Sequence, residues 1–234
     1  KNKDVCIWTS YHDGSQWSKP VRTATGIQHG DLRHPCWNPV LFQPAEGPLL
    51  LFYKVGPNPR EWWGMLTTSD DGGKTWSWPT KLGDAHTIGH LLGPVKNKPI
   101  QLDDGTILCP SSTEVDNGDG TDYWRVHFEI TKDLGKTWEV IGPIQTGEHF
   151  QAIQPSILTY PDGRMQILCR SRQKRIVQSW SMDDGRTWST LTATDLPNPN
   201  SGTDAITLKD GRQLVIYNHS EGTVRQTDGP ILKP

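Results

Sequence analysis

The chain has 234 residues, with 24 Lys and Arg against 26 Asp and Glu, and 33% of its residues are apolar. This length is enough for one domain with a sizeable core. The formal charge of −2 argues against a nucleic-acid-binding domain, and no apolar run is long enough to cross a bilayer. Gly, Pro and Trp are plentiful and no amphipathic stretch has helical length, so the composition favours β structure.

In chain order, the sequence predicts four β-hairpins, each made of an apolar run, an acidic-Gly turn and a second apolar run. The four turns are Glu46-Gly47, Asp104-Gly105, Asp162-Gly163 and Asp210-Gly211. A third strand is predicted after each of the first three hairpins, at 63–68, 125–130 and 176–181, and one more near the start, at 4–10. Four antiparallel strands per repeat are typical of a propeller blade.

A second motif, Ser/Thr-x-Asp-x-Gly-x-Thr-Trp, recurs between the hairpins. It occurs at 69–76, 131–138 and 181–188, with a degraded copy at 10–17. The copies lie roughly 50 to 60 residues apart, which indicates a repeat architecture. In such a turn the Asp accepts hydrogen bonds from backbone amides and the Gly adopts a positive φ. We therefore interpret Asp71, Asp133 and Asp183 as structural, and expect the tryptophans to pack between blades.

These turns resemble the Asp-boxes of the sialidase-like β-propellers. The stretches 33–39 and 57–64 are most similar to the bacterial group of predicted neuraminidases, or BNR-repeat proteins. The resemblance implies an all-β propeller of four-stranded antiparallel blades, forming one domain over 1–234 that is incomplete at its N-terminus. We expect about four blades. Either the first strand closes the ring with the last hairpin, or the chain is part of a five- or six-bladed ring.

One face of such a propeller gathers the starts of the inner strands and the loops between second and third strands. Cations, amides and tryptophans dominate these segments, which indicates an acidic ligand: Arg would bind its carboxylate, and Trp would stack on a sugar ring. The candidate substrate-binding residues are Arg33, Asn38, Lys54, Arg60, Trp62, Lys96, Arg125, Arg170, Arg172 and Asp204.

The resemblance also implies a catalytic set of a Tyr nucleophile with a Glu beside it, an Asp acid/base and an Arg triad. The matching residues here, in the family's order, are Glu114, Arg125, Arg170 or Arg172, and Tyr217. A Tyr needs a neighbouring base because its free pKa is about 10. Asp4 and Glu61 are the candidates for the acid/base. Arg33 is similar to the family's first Arg but lies a few residues too early.

We therefore expect a glycoside hydrolase of sialidase type that releases a terminal acidic sugar. A polysaccharide lyase or other uronic-acid-specific enzyme is a second hypothesis, because His34, His127 or His219 could abstract a proton next to a carboxylate. A non-catalytic carbohydrate-binding propeller is a third. No metal or other cofactor is required, and no nucleic-acid or membrane partner is expected.

The four cysteines, at 6, 36, 109 and 169, lack the spacing of a zinc site. We interpret them as small apolar residues in strands rather than as disulfides. The redox compartment stays open on this evidence, with secretion or the periplasm slightly favoured.

Overall fold

The computed structural model describes residues 2–147 and 150–222, and the rest of the expected 1–234 domain lies outside the described residues. Within them every regular element is a β-strand, as predicted. No helix in the described part is long and apolar enough to span a membrane. In chain order the strands are β1 Ile7–Thr9, β2 Val21–Ala24, β3 Ile27–His29, β4 Leu32–Arg33, β5 Cys36–Phe42, β6 Leu49–Val55, β7 Trp63–Ser69, β8 Thr80–Lys81, β9 Asp84–Ala85, β10 Gly89–His90, β11 Ile100–Gln101, β12 Ile107–Asp116, β13 Asp122–Thr131, β14 Glu139–Ile141, β15 Ala152–Thr159, β16 Met165–Ser171, β17 Arg175–Ser181, β18 Thr192–Pro197, β19 Asp204–Thr207 and β20 Gln213–Ile216.

Three sheets are complete four-stranded blades: β5–β8 is blade A, β11–β14 is blade B and β15–β18 is blade C. In each, consecutive strands pair antiparallel, so the predicted hairpins and third strands are confirmed. Two-stranded sheets form from β1 and β2 before blade A and from β19 and β20 after blade C. The first strand therefore pairs with β2, and the expected closing pair with the last hairpin is not formed by the described strands.

The hydrophobic core lies in the seams between neighbouring blades. Phe52 of β6 and Ile107 of β12 belong to one cluster between blades A and B. Phe128 of β13 and Ile167 of β16 belong to another between blades B and C. Alternate residues of a strand point to opposite sides of its sheet, so a central blade with two packed sides carries apolar residues on both.

The Asp-box turns have the predicted structural role. Asp71 accepts hydrogen bonds from the backbone N–H of Lys74 (3.0 Å) and of Thr75 (2.9 Å), and from the Thr75 hydroxyl (2.6 Å). These bonds stabilise the ionised carboxylate, so they lower its pKa. The Asp133 carboxylate is bound in the same way, and the Asp183 carboxylate accepts the corresponding two hydrogen bonds from Thr187.

The Asp-box tryptophans pack as expected. The Trp188 ring stacks on Phe128 with 4.5 Å between centroids, and Trp138 packs edge-on against Phe52 at 6.2 Å. Each ring therefore closes a seam between two blades. Trp76 packs beside the cluster of Leu51 and Tyr53.

All four cysteines are free thiols. Three of them, Cys36, Cys109 and Cys169, are buried in the core clusters, which agrees with the interpretation as small apolar residues. Burial raises the pKa of the Cys36 thiol to about 12. Cys6 is only half-buried.

Candidate functional site

A cleft of about 1110 Å³ opens between blades A and B on the face where the sequence predicts a site. Its walls are the loop 58–62 that precedes β7, the segment 84–92 that follows blade A, and the hairpin formed by β12 and β13. Acidic side chains outnumber cations in these walls. The acidic ones are Glu61, Asp84, Glu114, Asp116 and Asp122, and the cations are Arg60 and Arg125. The predicted excess of positive charge is therefore wrong for the walls of this cleft.

Three of the five acidic residues belong to the β12–β13 hairpin, which is longer than the sequence pattern indicates. Each strand has ten residues, so Asp116 and Asp122 belong to strand ends that reach onto the functional face. In the register, Glu114 lies opposite Trp124 and Asp116 lies opposite Asp122. Because side chains alternate along a strand, these four lie on one side of the hairpin.

Arg60 connects the loop of blade A to this hairpin. Its Nη1 donates to Asp116 Oδ2 (2.8 Å), its Nη2 to the Gly120 carbonyl (3.3 Å), and its Nε forms an ion pair with Asp122. The hydrogen bond with Asp122 raises the pKa of Arg60. Arg60, predicted to bind substrate, is therefore engaged with protein carboxylates.

Arg170 and Arg172 approach the Trp124 ring from the end of β16. Their guanidinium carbons lie 5.1 Å and 4.3 Å from its centroid, within cation–π range. Arg170 also donates to Gln154 Oε1 (3.0 Å) and to the carbonyl of Asn200 (3.0 Å). These contacts fix its orientation. Arg172 faces Asp122, with 3.7 Å between Nη2 and Oδ2.

Glu114 lies half-buried within this group. Burial raises its pKa, and the negative charge of Asp122 raises it further, whereas the charges of Arg170 and Arg172 lower it. A carboxyl with a raised pKa keeps its proton to higher pH and suits general acid catalysis. The family resemblance implies a different role for Glu114, as the base beside Tyr217.

The expected pair of Tyr217 and Glu114 is not formed. The Tyr217 hydroxyl is hydrogen-bonded to His219 Nδ1 at 2.5 Å, and the ring packs beside Leu158 and Ile176. No hydrogen bond joins Tyr217 to Glu114 in the described residues. The neighbour that could accept the phenol proton is therefore His219.

Three other candidate residues have partners outside the group of Arg170, Arg172, Trp124 and Glu114. Asp4 is exposed and forms an ion pair with Arg33. Glu61 accepts a hydrogen bond from Asn58 Nδ2 (3.0 Å) within its own loop. Arg125 is exposed and lies over the Tyr123 ring, with 5.2 Å to the centroid.

Residues at the starts of the inner strands form a polar layer of their own. Lys96 donates to the Thr203 carbonyl (2.7 Å), and Asp204 accepts from Lys98 (3.0 Å). Asn38 and Lys96 have positive φ angles, of 43° and 70°. Such backbone is uncommon for non-Gly residues and is enriched at functional sites.

Two candidate residues are buried. Lys54 is fully buried and its ammonium donates to the Pro94 carbonyl, so the prediction that it contacts substrate is wrong for this structure. Burial lowers its pKa to about 7. Trp62 is only 6% exposed and packs with Leu92 and Val95. It is one of the residues that line the cleft.

Sequence reasoning missed two acidic residues of the site, Asp116 and Asp122. A search for cations overlooks the acidic pair that neutralises them. The feature that could have revealed them is the length of the hairpin formed by β12 and β13. Extending the predicted β12–β13 ladder to the turn at 117–121 would have placed Asp116 opposite Asp122. In the described part of the chain, no group of three or more His, Cys, Asp or Glu could hold a metal ion.

Solved structures similar to this chain include several sialidases. A protein of unknown function from Dyadobacter fermentans superposes with a TM-score of 0.74 at 19% identity, over 92% of this chain and 65% of that one. The NanB sialidase from Streptococcus pneumoniae gives 0.69 at 13%, over 91% and 51%. The Trypanosoma rangeli sialidase gives 0.64 at 17%, over 92% and 39%. This chain thus spans less than two thirds of each of these proteins, and at such identities the likeness shows the fold.

No curated protein matches the sequence. The family model described as a BNR repeat-like domain matches residues 1–227, which is nearly the whole chain. This match agrees with the three Asp-box turns and with the sialidase propellers among the similar structures. The chain therefore belongs to the family of BNR repeat-like domains, with a sialidase-like β-propeller fold.

Proposed function

We propose that this protein is a glycoside hydrolase of sialidase type that releases a terminal, carboxylate-bearing sugar. The observation that carries the proposal is the group of Arg170, Arg172, Trp124 and Glu114. Two guanidinium groups lie within 5.1 Å of one indole ring, and a half-buried carboxyl with a raised pKa lies beside them. An Arg pair suits a carboxylate and a protonated carboxyl suits a leaving-group oxygen, while the buried Trp124 ring holds the two guanidinium groups next to each other.

In this proposal Arg172, with Arg170 beside it, binds the substrate's carboxylate. Glu114 donates a proton to the glycosidic oxygen as the bond breaks. Tyr217 attacks the anomeric carbon, and His219 accepts the phenol proton through its hydrogen bond with Tyr217. A water molecule then attacks the anomeric carbon of the glycosyl-tyrosine intermediate. The ionised Glu114 accepts the proton of that water, and His219 returns its proton to the released Tyr217 phenolate. A neutral nucleophile has an advantage at such a centre, because the neighbouring substrate carboxylate would repel an attacking carboxylate.

The test compares Arg172→Lys with Arg186→Lys, which changes the same residue type in an Asp-box turn, where Arg186 pairs with Glu139. Lys cannot reproduce two parallel hydrogen bonds to a carboxylate. Arg172→Lys should weaken binding of an acidic sugar by about 1–3 kcal/mol and leave a neutral sugar of the same shape unaffected. Isothermal titration with both sugars measures this. Equal losses for the two sugars would contradict the carboxylate role.

Tyr217→Phe separates binding from chemistry. It should remove turnover and leave the affinity for the acidic sugar nearly intact.

The Tyr217–His219 hydrogen bond also favours a second candidate, a lyase in which this pair abstracts the proton next to a uronate carboxylate. Products distinguish the two reactions, because only a lyase leaves an unsaturated uronate with its characteristic ultraviolet absorbance.

A further inference from the structure

The β12–β13 hairpin meets cations from both neighbouring blades. Arg60 approaches from blade A and Arg172 from blade C, and both face the carboxylate of Asp122. The two contacts differ in kind. Arg60 has hydrogen-bonded or close ionic contacts with Asp116, Asp122 and the Gly120 carbonyl. Arg172 approaches Asp122 only to 3.7 Å, and its guanidinium group lies over the Trp124 ring.

The long contact leaves Arg172 free to change partners. Hydrogen bonds from N–H to oxygen have donor–acceptor distances of about 2.7–3.2 Å, so the Arg172 donors do not form one with Asp122. About a third of the Arg172 side chain is exposed, and ion pairs of this exposure are weak. Asp122 keeps Arg60 as its closer partner when Arg172 leaves. A ligand carboxylate at hydrogen-bond distance would therefore replace Asp122 at Arg172.

We propose that Asp122 is a specificity-determining residue, an internal carboxylate that occupies Arg172 until the carboxylate of an acidic sugar replaces it. This inference rests on the proposed function, because it assigns the substrate's carboxylate to Arg172. A neutral sugar offers nothing to compensate Arg172 for the loss of Asp122. A neutral sugar therefore leaves the contact between Arg172 and Asp122 in place. Asp122 lowers the affinity for acidic sugars alone, because their carboxylate must compete with it for Arg172.

The same carboxylate acts on the neighbouring Glu114. Asp122 and Glu114 lie on one side of the hairpin, and the charge of Asp122 is a cause of the raised Glu114 pKa. Only 22% of the Asp122 side chain is exposed, so its carboxylate is directed towards these groups rather than into solvent.

The first experiment needs no substrate. Phenylglyoxal, which modifies guanidinium groups, is applied to the wild type and to Asp122→Asn, and each arginine is quantified by peptide mass spectrometry. The control is Asp119→Asn, which removes a carboxylate from the same hairpin; Asp119 bonds to Thr121. Labelling of Arg172 should rise about two- to fivefold in Asp122→Asn and stay unchanged in the control. Arg125, which has no carboxylate partner in the described structure, should not change in either variant.

The second experiment measures binding of free sialic acid, glucuronic acid and glucose to the same three proteins by isothermal titration. The affinity for the acidic sugar that binds should increase about two- to fivefold in Asp122→Asn, with glucose unchanged. Unchanged Arg172 labelling would overturn the role of Asp122 alone. Increased labelling with a weaker acidic sugar would also overturn it, since Asp122 would then position Arg172. Increased labelling without binding of either acidic sugar to any of the three proteins would overturn the proposed function as well.

Discussion

The two faces of this propeller use carboxylates in opposite ways. In the Asp-box turns, Asp71 is bound by N–H and O–H donors of residues three and four positions later in its own turn, and its pKa is lowered. On the functional face, Glu114 is bound by no such turn, lies beside another carboxylate, Asp122, and has a raised pKa. Hydrogen-bond donors within its own turn keep a carboxylate ionised, which suits a structural role. Burial beside a second carboxylate raises the pKa instead, which suits acid catalysis.

The largest effect should come from Glu114→Gln, which tests the functional side of this comparison. Loss of a general acid typically lowers kcat by about 100- to 10,000-fold. In the wild type, activity should fall as the pH rises through the raised pKa of Glu114, because the acid form is then lost. The pH profile of kcat/KM measures this. A variant that retained the alkaline limb of that profile would show that another group titrates.

The same substitution should not lower the stability of the protein, although it lowers the activity. Because the folded-state pKa of Glu114 is raised, its contribution to stability is complete below the unfolded pKa of about 4.3 and is lost as the pH rises through the folded value. Glu114→Gln removes that loss, so the variant should be at least as stable as the wild type at neutral pH. Thermal unfolding of the wild type and of Glu114→Gln across the pH range is the control. It shows whether the loss of activity is due to misfolding.

The next effect in size tests the structural side. Trp188→Ala should cost about 3–5 kcal/mol in the free energy of unfolding, because the ring stacks on Phe128 in a closed seam between two complete blades. Trp76→Ala should cost less, since Trp76 borders an open cleft. The control is Trp78→Ala: Trp78 is 93% exposed, so its change should stay within about 0.5 kcal/mol. Denaturant unfolding gives the loss of unfolding free energy for each of the three variants. A larger loss for Trp76→Ala than for Trp188→Ala would contradict the conclusion that Trp188 closes a seam between two blades.

The sequence predicts the fold well because the blade is a local structure. Hairpin turns such as Asp162-Gly163 and the Asp-boxes use residues within a few positions of one another, so their chemistry is visible in the sequence. Seams need only apolar alternation, which is also visible. The number of blades is less accessible, because closing a ring depends on pairing between distant strands.

The site was predicted only in part, because it depends on contacts between blades rather than on local turns. Glu114, Arg170 and Arg172 lie together, but Lys54 was misplaced. Strand β6 continues through Lys54 to Val55 and carries this side chain into the interior. The partner of Tyr217 also differs from expectation. Contacts between blades depend on strand lengths and registers, and small errors in these move a side chain to another surface.

The smallest effect concerns the pH dependence of one Asp-box. Hydrogen bonds from Thr137 lower the pKa of Asp133 to about 2, against an unfolded value of about 3.9. Since the folded pKa is lowered, the stability from this group is present above pH ~4 and is lost as the pH falls towards 2. Asp133→Asn lacks that contribution, so the gap in melting temperature between wild type and variant should be widest near neutrality and should narrow between pH 4 and 2. Asp103→Asn, in an exposed turn, is the matched control and should show no such narrowing. A gap that stays constant down to pH 2 would mean that the Asn variant loses packing rather than an ionised acceptor, and the contrast between the two kinds of carboxylate would then fail on its structural side.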